Sequence, residues 1–343
     1  MMTKQIKKIG FYQGLPIEEK DSFIKIMDVA PVATGHDLLV AVDAVSVNPV
    51  DTKLRQGAAK KEQLTVLGFD AVGRILAVGD AVEKFQVGER IFYAGSSKRP
   101  GSNQEFQLVD ERIVAKAPNS LSDEKAAALP LTSLTAFELL FEKFQLTPQA
   151  KANVGKKILV INGGGGVGSI LTQLANWSGL EVFATASVKN FEWLRNNGVD
   201  HPLDYHKDLK EQLISLGTNR VDYVAVLYDV LPYFQQLPEL VQPGGRVGSI
   251  VGVNQPLPIG EWKNQSISFD WEYMFAKTDF DYKIETQGEI LAEIATLIEQ
   301  KVIHSHVGKI YQGISVAHLK EATKDVEEGH VQGKVVLTGG FVD

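Results

Sequence analysis

Ile161-Asn162-Gly163-Gly164-Gly165-Gly166-Val167-Gly168 is the stretch from which the rest of the chain can be read. It contains G-x-G-x-x-G as Gly163, Gly165 and Gly168. An apolar run, Lys157 to Asn162, precedes it. A helical segment, Gly166 to Ser178, follows with Val167, Ile170, Leu171, Leu174 and Ala175 on one face. A strand turning through glycines into a helix is the context in which this motif binds a dinucleotide pyrophosphate. Gly163 is expected to permit the tight turn, Gly165 to let backbone approach the phosphates, and Gly168 to let helix pack closely on sheet. The helix start at Gly166, Val167 and Gly168 offers free N–H groups and the positive end of the helix dipole to an anion. No Lys-Ser or Lys-Thr ends the loop, so a nucleoside triphosphatase P-loop is excluded.

Working outward, Glu181 to Ala186 reads as the next strand, Phe191 to Asn197 as a short helix, and Val221 to Tyr228 and Arg246 to Val251 as further strands. Strands alternating with helices indicate an α/β unit with a doubly wound parallel sheet. An NAD site carries Asp or Glu about 20 residues beyond the loop, at the end of the second strand. Here that strand ends Ala184-Thr185-Ala186-Ser187-Val188-Lys189, without an acid. A hydroxyl and an ammonium suit a ribose 2′-phosphate, so the expected cofactor is NADP(H), with Ser187 and Lys189 as phosphate ligands. Lys189 also reads as an exposed lysine at a helix start.

Before about residue 130 the chain has a different rhythm. Ile6 to Phe11, Phe23 to Val29, Leu38 to Val47, Ala71 to Val78, Arg90 to Tyr93 and Glu105 to Val109 are short β-type runs separated by Gly, Pro and Asp. Past Phe280, Ile290, Leu291, Ile294, Leu297 and Ile298 form one buried helical stripe, and Val335-Val336-Leu337 returns to β. The expectation is a barrel-like body built from 1–130 and 280–343, with a cofactor-binding domain, 131–279, inserted in it. A chain of 343 residues accommodates two such domains.

Composition excludes several classes. There is no cysteine, hence no disulfide, thiolate zinc site or cysteine nucleophile. The 35 Lys and Arg against 42 Asp and Glu leave a formal net charge of -7, which argues against a nucleic-acid partner. No apolar run approaches the roughly 18 residues of a membrane span, and nothing near Met1 resembles a signal peptide. A cytoplasmic protein with a small-molecule substrate and no membrane partner is expected. His304-Ser305-His306 lacks a third ligand and reads as exposed loop, while His201 and His206 read as structural. No G-x-S-x-G occurs, so a hydrolase elbow has no support.

Further motifs occur in order: Asn48-Pro49-Val50-Asp51, Gly68-Phe69-Asp70-Ala71-Val72-Gly73, Val87-Gly88-Glu89-Arg90-Ile91, Ala127 to Ala136, the glycine loop, Pro243-Gly244-Gly245-Arg246-Val247, and Gly333-Lys334-Val335-Val336-Leu337. Together they resemble the medium-chain dehydrogenase/reductase superfamily, in its zinc-independent quinone oxidoreductase branch, and most closely proteins labelled zinc-type alcohol dehydrogenase-like. The resemblance implies a GroES-like β-barrel catalytic domain, an inserted Rossmann domain and a homodimer. In the zinc enzymes of the family, Cys, His and a second Cys hold the metal. Asn48 matches the first Cys, and Phe69-Asp70 match a His-Glu pair, so no metal site and no zinc are expected.

The implied activity is hydride transfer from NADPH to a quinone or an α,β-unsaturated carbonyl. The resemblance places Asn48 near the nicotinamide as a candidate donor, Thr135 beside the ring, and Tyr205 against the 2′-phosphate. It puts Gly252 and Val253 on the carboxamide side, with Phe275 and Lys334 closing the cleft. Lys53 stands where some quinone reductases carry an active-site Tyr and is a candidate catalytic residue. Plainer readings remain for several: Asn48-Pro49 as a strand-ending turn, Tyr205 as core packing, Asp51 and Asp70 as structural hydrogen-bonding groups. Two other functions stay open, an NADPH-binding regulatory or structural protein with little catalysis, and an alcohol dehydrogenase-like enzyme.

Overall fold

Alternation of apolar and polar residues makes strands of the first part of the chain, because successive side chains point to opposite faces. In this computed structural model, which describes residues 4–329 and 331–343, β1 (Gln5–Gly10) and β2 (Ile24–Val29) form an antiparallel pair. β3 (Asp37–Val47), α1 (Pro49–Gln56), β4 (Asp70–Val78), β5 (Arg90–Tyr93), β6 (Phe106–Asp110) and β7 (Val114–Lys116) follow, then α2 (Asp123–Ala127) and α3 (Pro130–Phe137). Next come β8 (Lys157–Ile161), α4 (Gly166–Trp177), β9 (Glu181–Ala186), α5 (Phe191–Asn196), β10 (His201–Asp204), α6 (Leu209–Ser215) and β11 (Val221–Val226). α7 (Leu237–Leu240), β12 (Val241–Ser249) and β13 (Ser268–Trp271) complete that series. The chain ends with α8 (Phe275–Asp279), α9 (Glu285–Glu299), β14 (Val307–Ile314), α10 (Val316–Glu328) and β15 (Lys334–Phe341).

Two units result. One runs up to Leu134 and resumes at Phe275; the other is Thr135–Met274. The changeover lies inside α3, a continuous helix with no turn signal, whereas the sequence reading placed the limits at 130 and 280.

The first unit holds a sheet in the order β14-β15-β3-β4-β5-β7, with β6 also paired to β3. β14 and β15 run parallel, and the remaining pairs are antiparallel. Two registers set the positions of polar side chains at the end of β3: Ser46 faces Asp70 across β3 and β4, and Val47 faces Val335 across β3 and β15. Leu38, Val40, Val45, Ile75, Ile91, Val335 and Leu337 form the core, and the stripe Ile290, Leu291, Ile294, Leu297 and Ile298 of α9 is buried.

The second unit is a six-stranded sheet, order β10-β9-β8-β11-β12-β13, with every pair parallel. In order of appearance that is 3-2-1-4-5-6, which reverses between β8 and β11 and opens a crevice at the carboxyl ends of those strands. Leu159, Ile161, Phe183, Val224, Val226 and Trp262 are buried in its core. β12 begins at Val241 rather than Arg246, because the Pro243-Gly244-Gly245 stretch is carried as an irregularity of register within the strand. Among the described residues, no helix is long and apolar enough to cross a membrane.

Candidate functional site

In the second unit the glycine loop joins β8 to α4. The left-handed residue of the turn is Asn162, at φ 67°, not Gly163. Asparagine tolerates that conformation, and the turn is pinned from β9. Thr185 Oγ1 accepts from the Asn162 N–H at 2.9 Å, and its carbonyl from the Gly163 N–H at 3.0 Å. Gly163 is needed for space instead: a Cβ there would lie 2.7 Å from that of Ala184. At Gly168 a Cβ would lie 2.5 Å from the carbonyl oxygens of both Asn162 and Gly163, so only glycine lets α4 start this close to the loop. Gly164, Gly165, Gly166 and Val167 remain partly exposed. α4 has Gly165 as N-cap and no side-chain cap, so its first backbone N–H groups are left for an outside acceptor.

The neighbouring strand ends supply side chains. Ala186 of β9 is paired with Asp204 of β10, so Ser187 and Tyr205 leave the sheet side by side. Lys189 is exposed, in a turn that follows Ser187. Tyr205 is 48% exposed, and its ring lies on His206 with centroids 4.1 Å apart. Asp204, the acid nearest this edge, is engaged: the His206 backbone N–H and imidazole hold it below the usual carboxylate range. Tyr228 and Tyr233, which the sequence reading missed, cluster with Tyr205. Burial, and then Tyr205 and Tyr228, push the Tyr233 hydroxyl up. Tyr228 was findable as the polar-tipped residue just past a strand at the switch point. Gly252 is exposed and Val253 partly buried just past β12, and Thr135 is buried.

In the first unit the end of β3 builds a different feature. Asn48 precedes α1, with Pro49 at the first helical position, where its missing N–H costs nothing. Asp51 Oδ2 accepts the Asn48 N–H at 2.9 Å and its Oδ1 the Gly68 N–H at 3.1 Å. Burial pushes Asp51 up to about 7 despite these bonds. Asp70 Oδ2 receives Ser46 Oγ at 2.7 Å, Asn48 Nδ2 at 2.9 Å and Lys334 Nζ at 2.9 Å, while Oδ1 receives the Leu131 N–H at 2.7 Å. Lys334 also donates to Asn48 Oδ1. Asn48 is 1% and Lys334 3% exposed. A buried ion pair survives only with such additional bonds.

The structure therefore brings Asn48 and Lys334 together and shuts both from solvent. Phe275 is buried as well, tilted against Phe69 with centroids 4.6 Å apart. Lys334 and Phe275 are both buried within the first unit. Lys53 does not join Asn48; it is exposed on α1 while the Asn48 amide turns inward. His306 corrects the exposed-loop reading: only His304 is exposed, whereas His306 is buried, with Nε2 3.3 Å from Thr132 Oγ1. Burial, and then the Lys334 charge, push His306 down to about 3, so the ring is neutral. Among the described residues, no group of three His, Asp or Glu is arranged to hold a metal ion.

Residues 34–119 match the alcohol dehydrogenase GroES-like domain and residues 197–337 the zinc-binding dehydrogenase family. The chain is 40% identical over 337 residues to a zinc-type alcohol dehydrogenase-like protein of Staphylococcus epidermidis, covering 97% of this chain and 99% of that one. It is 29% identical over 339 residues to a chloroplastic NADPH-dependent alkenal/one oxidoreductase of Arabidopsis thaliana, covering 95% and 77%. A crystal structure from Rhizobium etli CFN 42, described as that of a zinc-dependent alcohol dehydrogenase protein, has a TM-score of 0.93 at 35% identity, covering 99% of this chain and 100% of that one. With a GroES-like domain, a parallel dinucleotide-type sheet and full-length relatives of this kind, the chain belongs to the medium-chain dehydrogenase/reductase superfamily of oxidoreductases.

Proposed function

We propose that the protein is a zinc-independent reductase that passes hydride from NADPH to a quinone or an α,β-unsaturated carbonyl. The observation that carries this reading is the donor set around Asp70. Where zinc relatives place ligands stand Asn48 and Phe69, and the cation beside the carboxylate is the Lys334 ammonium. A phenyl ring and an amide whose oxygen already holds an ammonium do not fit zinc. Without a Lewis acid, alcohol oxidation loses its means of polarising the oxygen, whereas an electron-poor alkene or quinone needs only a positioned hydride and a donor for the developing oxyanion.

The loop fits the cofactor. The N–H groups of Gly166, Val167 and Gly168 would receive the diphosphate, Ser187 and Lys189 the 2′-phosphate, with Tyr205 packed beside it. Thr135, Gly252 and Val253 are assigned to the nicotinamide end, and Asn48 to the oxyanion. NADPH, when bound, supplies the hydride at nicotinamide C4. The name of the Arabidopsis relative supports both the cofactor and the acceptor class.

Initial rates of NADPH and NADH oxidation against a panel of alkenals, enones and quinones test the proposal. Turnover with NADPH in preference to NADH is expected, and no turnover across the panel would overturn it. The sealing of Asn48 favours one alternative, an NADPH-binding protein with little catalysis. Tight NADPH binding without reduction of any acceptor would select that alternative.

A further inference from the structure

We propose that Lys334 and Asp70 are positioning residues that hold the Asn48 amide in one orientation and strengthen it as a hydrogen-bond donor, the ammonium serving as the fixed cation of the site. This rests on the reading of Asn48 as the oxyanion donor. An ammonium can only donate and a carboxylate only accept. With Lys334 on Oδ1 and Asp70 on Nδ2 at 2.9 Å, the amide has a single orientation that satisfies both charges. The flipped amide would set its oxygen against the carboxylate and its NH2 against the ammonium, so chemistry decides between the two. One Nδ2 hydrogen is committed to Asp70, and the amide is held within the buried cluster.

The two charges also act on the strength of the amide as a donor. An ammonium at the amide oxygen draws density from the nitrogen, and chains of hydrogen bonds polarise one another in a low-dielectric setting. Asp70 cannot swing away, because Ser46 Oγ and the Leu131 N–H hold it from other directions. The arrangement follows from strand register. Ser46 opposite Asp70 and Val47 opposite Val335 bring Asn48, Asp70 and Lys334 to the same end of adjacent strands.

Lys334→Met alone would strand a buried carboxylate, so the test uses the charge-free pair Lys334→Met with Asp70→Asn, together with the conservative Lys334→Arg. For acceptor reduction, the pair is expected to lower kcat about 10- to 100-fold while the KM for NADPH moves by less than about threefold. Adding Asn48→Ala to the pair should cost little more, and Lys334→Arg should recover much of the rate. An unchanged kcat in the pair, or losses that multiply fully with Asn48→Ala, would overturn the proposal. The side-chain amide resonance of Asn48 in 15N-asparagine-labelled protein gives a readout independent of turnover. A downfield shift in the wild type relative to the pair is expected, and coincident shifts would overturn it. Absence of turnover in the wild type would defeat the proposed function alone, and the resonance would then decide the inference.

Discussion

Gly168→Ala and Gly164→Ala add one methyl each, four residues apart where β8 turns into α4, and should have opposite effects. At Gly168 the new Cβ would lie 2.5 Å from two backbone carbonyl oxygens, against 3.4 Å for ordinary contact, so backbone must move by about 0.9 Å. Neither oxygen is the end of a flexible side chain. The left-handed Asn162 and the Thr185 hydrogen bonds resist the shift. Overpacking of this kind costs about 1–3 kcal/mol. At Gly164 nothing lies within 4 Å, and no positive φ is required. Alanine there restricts the unfolded chain and is neutral or stabilising by about 0.5 kcal/mol. Urea denaturation of both variants, with NADPH affinity measured in parallel, separates them. Gly168→Ala should lose stability and NADPH binding together, while Gly164→Ala keeps its stability. Equal destabilisation of the two would refute the assignment of Gly168 to helix–loop packing.

Glu272, 3% exposed, is pushed up to about 9 by burial and by the neighbouring Glu138, against the pull of Lys143 at 3.8 Å. A folded-state value raised above the ordinary 4.5 means its contribution is whole below about pH 4.5 and is lost as pH rises towards 9. The Tm of wild type should therefore fall more steeply across that window than that of Glu272→Gln; parallel curves in calorimetry would count against it. Lys189→Ala should weaken NADPH binding about tenfold and leave NADH binding unchanged, because a charge-assisted contact to an exposed lysine is lost only with the phosphate present. Equal effects on both nucleotides, by titration calorimetry, would remove Lys189 from the phosphate site.

Much of the architecture was legible because it is local. β9 runs over Glu181–Ala186 as its apolar run indicated, and β3 and β5 agree within a residue. The loop motif is a spacing within eight residues, and its strand–turn–helix setting lies next to it in the chain. Short β7 and the exposed, weakly alternating β14 carried too little pattern to be read. The Asp70–Asn48–Lys334 cluster was legible only as three separate motifs, since Lys334 lies 286 positions from Asn48 and its burial depends on how β15 pairs with β3. His306 misled for the same reason: its surroundings come from Thr132 and Lys334, not from its neighbours in sequence. Gly163 was read as the turn residue because glycine usually supplies a positive φ, yet Asn162 supplies it here, and what Gly163 provides is room for Ala184.

Hydride destination distinguishes the proposed chemistry from that of an alcohol dehydrogenase. Metal-stripped protein, verified by elemental analysis, is given NADPH deuterated at nicotinamide C4 and a 2-alkenal, and the product is read by NMR. A saturated aldehyde with deuterium on the carbon β to the carbonyl is expected. Deuterium on the hydroxyl-bearing carbon of an allylic alcohol, or transfer that appears only when zinc is restored, would contradict it.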